Sequence, residues 1–213
     1  MAGTRKHAPK PAAARRNTYH HGDLKRALTS AALALVAEKG PKGFTLSEAA
    51  RRAQVSVAAP YRHFADKAEL LAAAAEQGFI QLHGALCAAR DSTSDPKSRV
   101  IEVGRAYVRW VVTHPDYYQV MFGADTFKAE NPDLLAAATP AFDVSLEAIT
   151  RCQEAGVMRS QDPREIAGPM WALAHGIASL AISGALQNVG IEDDPETLLA
   201  RALTASLEST EPA

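Results

Sequence analysis

The chain is predicted to be all-α, with about nine helices forming a compact three-helix head and a larger helical body. Three observations lead there. No run alternates apolar and polar residues over enough length to make a strand. Apolar side chains instead recur at helical spacing in one segment after another. Four dipeptides, Asp95-Pro96, Asn131-Pro132, Asp162-Pro163 and Asp194-Pro195, each set a favoured N-cap residue before proline. Proline is accepted in the first helical turn, where its missing N–H has no partner to lose, so each pair marks a start.

The first helix begins at Asp23, with Leu24, Leu28, Ala31 and Leu35 on one face, and stops at Gly40-Pro41. Thr45-x-x-Glu48 is a capping box that opens the second, whose Leu46, Ala49, Ala50 and Ala53 form the inner stripe. Gln54-Val55 makes a short turn, and Ser56 can cap a third helix. A long fourth starts at Asp66-Lys-Ala-Glu69 and carries Leu71, Ala75, Gly78, Leu82 and Leu86 along one side. Beyond residue 90 the punctuation predicts helices over 96–113, 116–122, 132–155, 163–188 and 195–208, with a break at His114-Pro115-Asp116.

Composition bounds the function. The 213 residues are 47% hydrophobic, enough for a packed core. Net charge is −1, yet residues 1–78 carry 13 Lys+Arg against 6 Asp+Glu, a net of +7, leaving −8 for the rest. A polyanion is attracted to the first third and repelled by the remainder. Residues 1–17 hold five positive charges, no acid and almost no large apolar group, which predicts a disordered basic arm. Arg15 and Arg16 could enter a minor groove, or the arm could only solubilise.

Cys87 and Cys152 match no ligand spacing and read as reduced, mostly buried thiols. His20-His21 has no third ligand spaced to join it, so no metal and no cofactor is expected. The N-terminus is basic and Pro/Ala-rich without an apolar core, unlike a secretory signal. A cytoplasmic protein is expected.

The segment Phe44–Lys67 carries the most specific signal. Two short helices joined by a tight turn match helix-turn-helix geometry. Val57, Ala58 and Ala59 are small and apolar, suited to thymine methyls rather than to hydrogen bonding. Tyr61, Arg62, His63 and Lys67 can donate to phosphate oxygens, and the N-terminus of the fourth helix adds its dipole. Phe64 is expected in the core; Tyr61 could pack, contact phosphate, or both.

Phe44-Thr-Leu46, Ala49-Ala50, Val55-Ser56, Tyr61-Arg-His-Phe64 and Lys67-x-Glu-Leu70-Leu71 resemble the TetR family of bacterial transcription regulators. Tyr19-His-His-Gly-Asp-Leu24 and Trp171-Ala-Leu-Ala-His-Gly176 are similar to its branch with a WHG-type C-terminal domain. The resemblance implies a helix-turn-helix domain over 18–66 and a ligand-binding and dimerisation domain over 67–213. It implies DNA contacts by Thr45 and Ser47 as well as Val57, Ala58, Ala59, Tyr61, His63 and Lys67. The turn position often held by glycine is Gln54, which carries strain if its φ is positive.

The resembled body binds an inducer. Tyr107, Trp110 and His114 share a face at i, i+3 and i+7, and with His83, Tyr118, Phe122, Trp171 and His175 they are candidate pocket residues. Tyr117 and Met121 belong to the same set, and ordinary core packing is the competing reading. Residues 166–191 contain no charge, but Pro169, His175, Gln187 and Asn188 and the lack of flanking positive clusters argue against a membrane span. A helix at a dimer interface is expected, approached closely at Gly176, Ala178, Ser179, Ser183 and Gly184, with Leu198, Leu199 and Leu203 of the last helix completing it.

The expected function is a homodimeric repressor released from a palindromic operator on double-stranded DNA by an unknown small molecule. The alternative is a constitutive or architectural DNA-binding protein without a ligand. An enzyme built on His114, Asp116, His175 and Ser183 is the remote third, since no GxSxG, HExxH, Walker or dinucleotide motif accompanies them and no catalytic residue is assigned.

Overall fold

The computed structural model describes residues 21–123 and 132–210. The expected basic arm and the Asn131 cap lie outside them. The described chain is all-α: α1 (His21–Lys39), α2 (Leu46–Arg52), a 3-10 turn (Pro60–Arg62), α3 (Lys67–Arg90), α4 (Pro96–Thr113), α5 (Pro115–Phe122), α6 (Pro132–Glu154), α7 (Pro163–Ile182), α8 (Ala185–Asn188) and α9 (Pro195–Glu208).

The caps set the boundaries. Asp95, Asp162 and Asp194 each accept a backbone N–H from the first turn of the helix that follows, with proline inside that turn. Asp66 does the same for α3 through the N–H of Glu69. One orphan donor is satisfied in each case.

Two predicted helices differ from what is observed. The segment expected as one helix over 163–188 stops at Ile182, because Gly184 turns left-handed at φ 71 before the short α8. The third helix, expected from Ser56, is a single 3-10 turn at Pro60–Arg62. Pro60 has no N–H to return to Ser56, so the first bond closes three residues back, from Ala59 N–H to Ser56 O at 2.9 Å.

α3 is the spine. Its buried face, including Leu71, Ala75, Gly78, Leu82 and Leu86, touches α1, α4, α5 and α6. Buried side chains run without a break from Leu28, Phe44, Leu46 and Phe64 in the head to Val103, Trp110, Val144 and Leu199 in the body. A second cluster at the far end joins Val100, Ile149, Cys152, Met158 and Leu207.

The expected dimer face needs correction. Ala178 is fully buried in the protomer's own core, and Leu199 and Leu203 are spent against α4, where a Cβ on Gly104 would meet Leu203 Cδ1 at 2.6 Å. The large apolar side chains that α7 leaves exposed are Trp171, at the cavity, and Leu173 and Leu180, with open space beyond Gly176. Among the described residues no helix is long and apolar enough to cross a membrane, and no His/Cys/Asp/Glu cluster could hold a metal.

Candidate nucleic-acid interface and internal cavity

The head is held from within so that its outer edge can stay open. Both bonds of the predicted capping box are present: Thr45 N–H donates to Glu48 Oε2 at 2.8 Å, and Glu48 N–H to Thr45 Oγ1 at 3.2 Å. Lys39 Nζ reaches Glu48 Oε1 at 2.9 Å, and with the cap it holds that carboxyl down at about 2. Arg52 is bidentate on Glu38, so its guanidinium is committed inside the head.

The turn is a Schellman motif. Val55 N–H bonds Ala50 O and Gln54 N–H bonds Arg51 O, each at 3.0 Å. This geometry requires a left-handed residue, and Gln54 supplies it at φ 58, the one positive-φ non-glycine among the described residues. Gln54→Gly is expected to raise the unfolding free energy by about 0.5–1 kcal/mol, the relief of Cβ strain exceeding the extra chain entropy of glycine. Urea denaturation measures it; a loss of stability would show that the glutamine side chain earns its place.

Beyond the turn, part of the candidate contact set faces outward. Val57 is 50% and Tyr61 60% exposed, and Ala58 and Arg62 are exposed beside them. Thr45 is exposed, and Ser47, Ala59 and His63 are half-buried. Phe64 is 2% exposed, so the two aromatics of this segment divide: one anchors, one faces out. Lys67 is less free than its position implies. Its ammonium donates to Phe44 O at 3.1 Å and Lys42 O at 3.4 Å and lies 5.2 Å from the Phe44 ring centroid. Two of its three protons tie down the loop before α2, and the third remains for an outside acceptor.

The body holds a cavity of ≈ 500 Å³, open on one side, walled by α3, α4, α6 and α7 with contributions from Phe122 and Leu203. Of the candidate pocket residues, Tyr107, Phe122 and Trp171 line it. His175 and Tyr118 stand just behind: Tyr107 Oη lies 2.8 Å from His175 Nδ1, and Tyr118 Oη 3.1 Å from His175 Nε2. Burial pushes the Tyr107 phenol well above the ordinary tyrosine range, Tyr118 adding to the shift and Trp171 opposing it. Burial also lowers His175, keeping the imidazole neutral.

The other three do not line the cavity. His114 is the C-cap of α4 at φ −130 and ψ 60, outside the helical spiral that was to align it with Tyr107. Its ring stacks on Trp110 at 4.6 Å, next to Tyr117, and its Nδ1 lies 2.8 Å from Trp110 O. His83 Nε2 is 3.3 Å from Cys87 Sγ, one turn along α3. The walls that sequence reasoning missed are mostly aliphatic, such as Leu82, Leu86 and Val103, with Phe79 and Phe142 among them. Nothing in their pattern separates a residue beside a void from one that fills it.

Comparison with known families matches residues 28–74 to the bacterial regulatory proteins of the tetR family and residues 100–206 to the tetracyclin repressor-like C-terminal domain. No curated protein matches. Among solved structures, a protein of unknown function from Rhodococcus sp. RHA1 is 30% identical, with a TM-score of 0.81 over 92% of this chain and 100% of its own. A TetR family transcription regulator from Marinobacter aquaeolei VT8 is 19% identical, with a TM-score of 0.68 over 90% and 98%. RolR, solved with the ligand resorcinol, is 20% identical, with a TM-score of 0.62 over 89% and 88%. A reading head, a helical body and family matches spanning both together place the chain in the TetR family of bacterial regulatory proteins, DNA-binding transcription factors rather than enzymes.

Proposed function

We propose that the chain is a cytoplasmic homodimeric repressor that leaves a palindromic operator when a small molecule fills its cavity. The observation that carries this reading is α3. Its first residue, Lys67, holds the loop before α2, and three turns later Phe79, Leu82 and Leu86 form the cavity wall. Whatever occupies the cavity therefore presses on the helix that carries the head. Release requires that the ligand favour one head separation over the other.

On this reading the head, residues 18–66, contacts DNA through Thr45, Ser47, Val57, Ala58, Ala59, Tyr61, Arg62, His63 and Lys67. The body, residues 67–213, binds ligand and pairs through α7, and the likeness of Trp171 to Gly176 to the WHG-type branch supports that assignment. The apolar start of the reading segment leaves most of the affinity to phosphate contacts and the choice of sequence to methyl packing and DNA shape.

The test is fluorescence anisotropy of the full chain on duplex DNA across a salt series. Tyr61→Ala and Arg62→Ala should weaken binding to every duplex, and Arg62→Ala should reduce the salt slope by about 1. Unchanged affinity in both variants removes the proposed docking. A panel of apolar compounds should raise the melting temperature and release the operator. Stabilisation without release would leave a constitutive regulator whose ligand has no effect on DNA binding.

A further inference from the structure

The polar groups behind the cavity wall do not balance. Tyr107, His175 and Tyr118 meet through two contacts, Tyr107 Oη to Nδ1 and Tyr118 Oη to Nε2. A neutral imidazole has one N–H and one lone pair, so across these contacts one phenol donates and the other accepts. Two hydroxyl protons and one ring proton serve two bonds. One phenolic O–H is left over in either tautomer, and no acceptor takes it among the described residues. With Nδ1 protonated, the spare proton belongs to Tyr107, the phenol that lines the cavity. The Trp171 indole, a donor only, lines the same wall and acts as a donor toward the Tyr107 oxygen, so it takes none of these protons.

Resting on the ligand-cavity reading above, we propose that the cavity takes a neutral, largely apolar molecule bearing a hydrogen-bond acceptor such as a carbonyl oxygen, which receives the spare Tyr107 proton. The remaining walls fit that choice. Phe79, Leu82, Val103 and Phe142 offer no polar partner, and the charged lining residues Asp143 and Arg164 are solvent-exposed. A charge carried in among the apolar walls would lose hydration with only neutral hydroxyls, those of Thr139 and Ser145, to replace it. The acceptor selects the Nδ1–H tautomer and draws the Tyr118 hydroxyl onto Nε2. Occupancy at α4 and α7 is thereby registered on α5, which packs against α1 in the head.

Benzophenone, diphenylmethane and benzhydrylamine share two phenyl rings and differ at the central group: an acceptor, none, and an ammonium. Dissociation constants for the full chain are read by titration calorimetry. Benzophenone is expected to bind about tenfold tighter than diphenylmethane, and benzhydrylamine weakest. Tyr107→Phe should bring the ketone-to-hydrocarbon ratio near one. His175→Leu removes the nitrogen that competes for the Tyr107 proton, so there the ratio should hold or rise. Equal binding of ketone and hydrocarbon by the unmodified chain overturns the inference and leaves the cavity reading standing. So does a ratio that survives Tyr107→Phe or collapses in His175→Leu. If neither uncharged probe binds, the cavity reading falls and the inference with it.

Discussion

Phe64→Ala is expected to lower the unfolding free energy by about 3–5 kcal/mol, a large share of the total for a chain of this size. The ring is 2% exposed and belongs to the same buried cluster as Leu28, Leu46 and Leu70. It lies two residues beyond a 3-10 turn with little backbone bonding of its own: Pro60 O accepts from His63 and Phe64 at 2.9 Å, and Ala59 O from Arg62 at 3.2 Å. Packing therefore holds the reading segment in place more than hydrogen bonding does. Removing the ring leaves a void and frees the segment, so DNA affinity should fall even where the protein remains folded. Urea denaturation and anisotropy measure the two effects. Tyr61→Ala, three residues away and 60% exposed, should cost about 0.5 kcal/mol or less. Similar losses in both variants would mean that Phe64 is not the anchor.

Leu180→Asp should convert the proposed dimer to monomers and weaken operator binding by about a hundredfold or more, the effective-concentration advantage of a linked second half-site. Leu173 and Leu180 lie seven residues apart on α7 with Gly176 between them, and they are 39% and 46% exposed on the protomer. In a two-fold contact the substitution is present twice, so two carboxylates are introduced without partners into a drying apolar interface. Because the leucine is exposed in the protomer, its melting behaviour should change little beyond the loss of dimer linkage. Light scattering decides; a variant that stays dimeric moves the interface off this face.

The parts legible in sequence were those whose cause is local. An aspartate before a proline, or a threonine three residues ahead of a glutamate, acts within one helical turn, and those boundaries stand. Pro60 was equally local and equally visible; its missing N–H explains the 3-10 turn that replaced the third helix. His114 failed for another reason. Its spacing from Tyr107 is helical, but spacing gives direction only while the helix continues, and α4 ends one residue earlier. The cavity was the least legible feature. Tyr107, Phe122 and Trp171 stood out by chemistry, whereas the leucines and valines beside them differ from core residues only in what is missing across from them.

The unbroken packing of α3 has a mechanical consequence. Between Lys67 and Phe79 the helix is a rigid arm of about 18 Å at 1.5 Å per residue. A tilt of about 10° at the cavity swings its tip by roughly 3 Å, and a two-fold axis gives the second head the opposite swing. Successive major grooves on one face of a duplex recur only every 34–36 Å or so. A few ångströms at each end can thus unseat both heads with no unfolding anywhere. On the proposed release, the protein needs no flexible joint to let go of DNA, only a stiff lever with its fulcrum at the cavity wall.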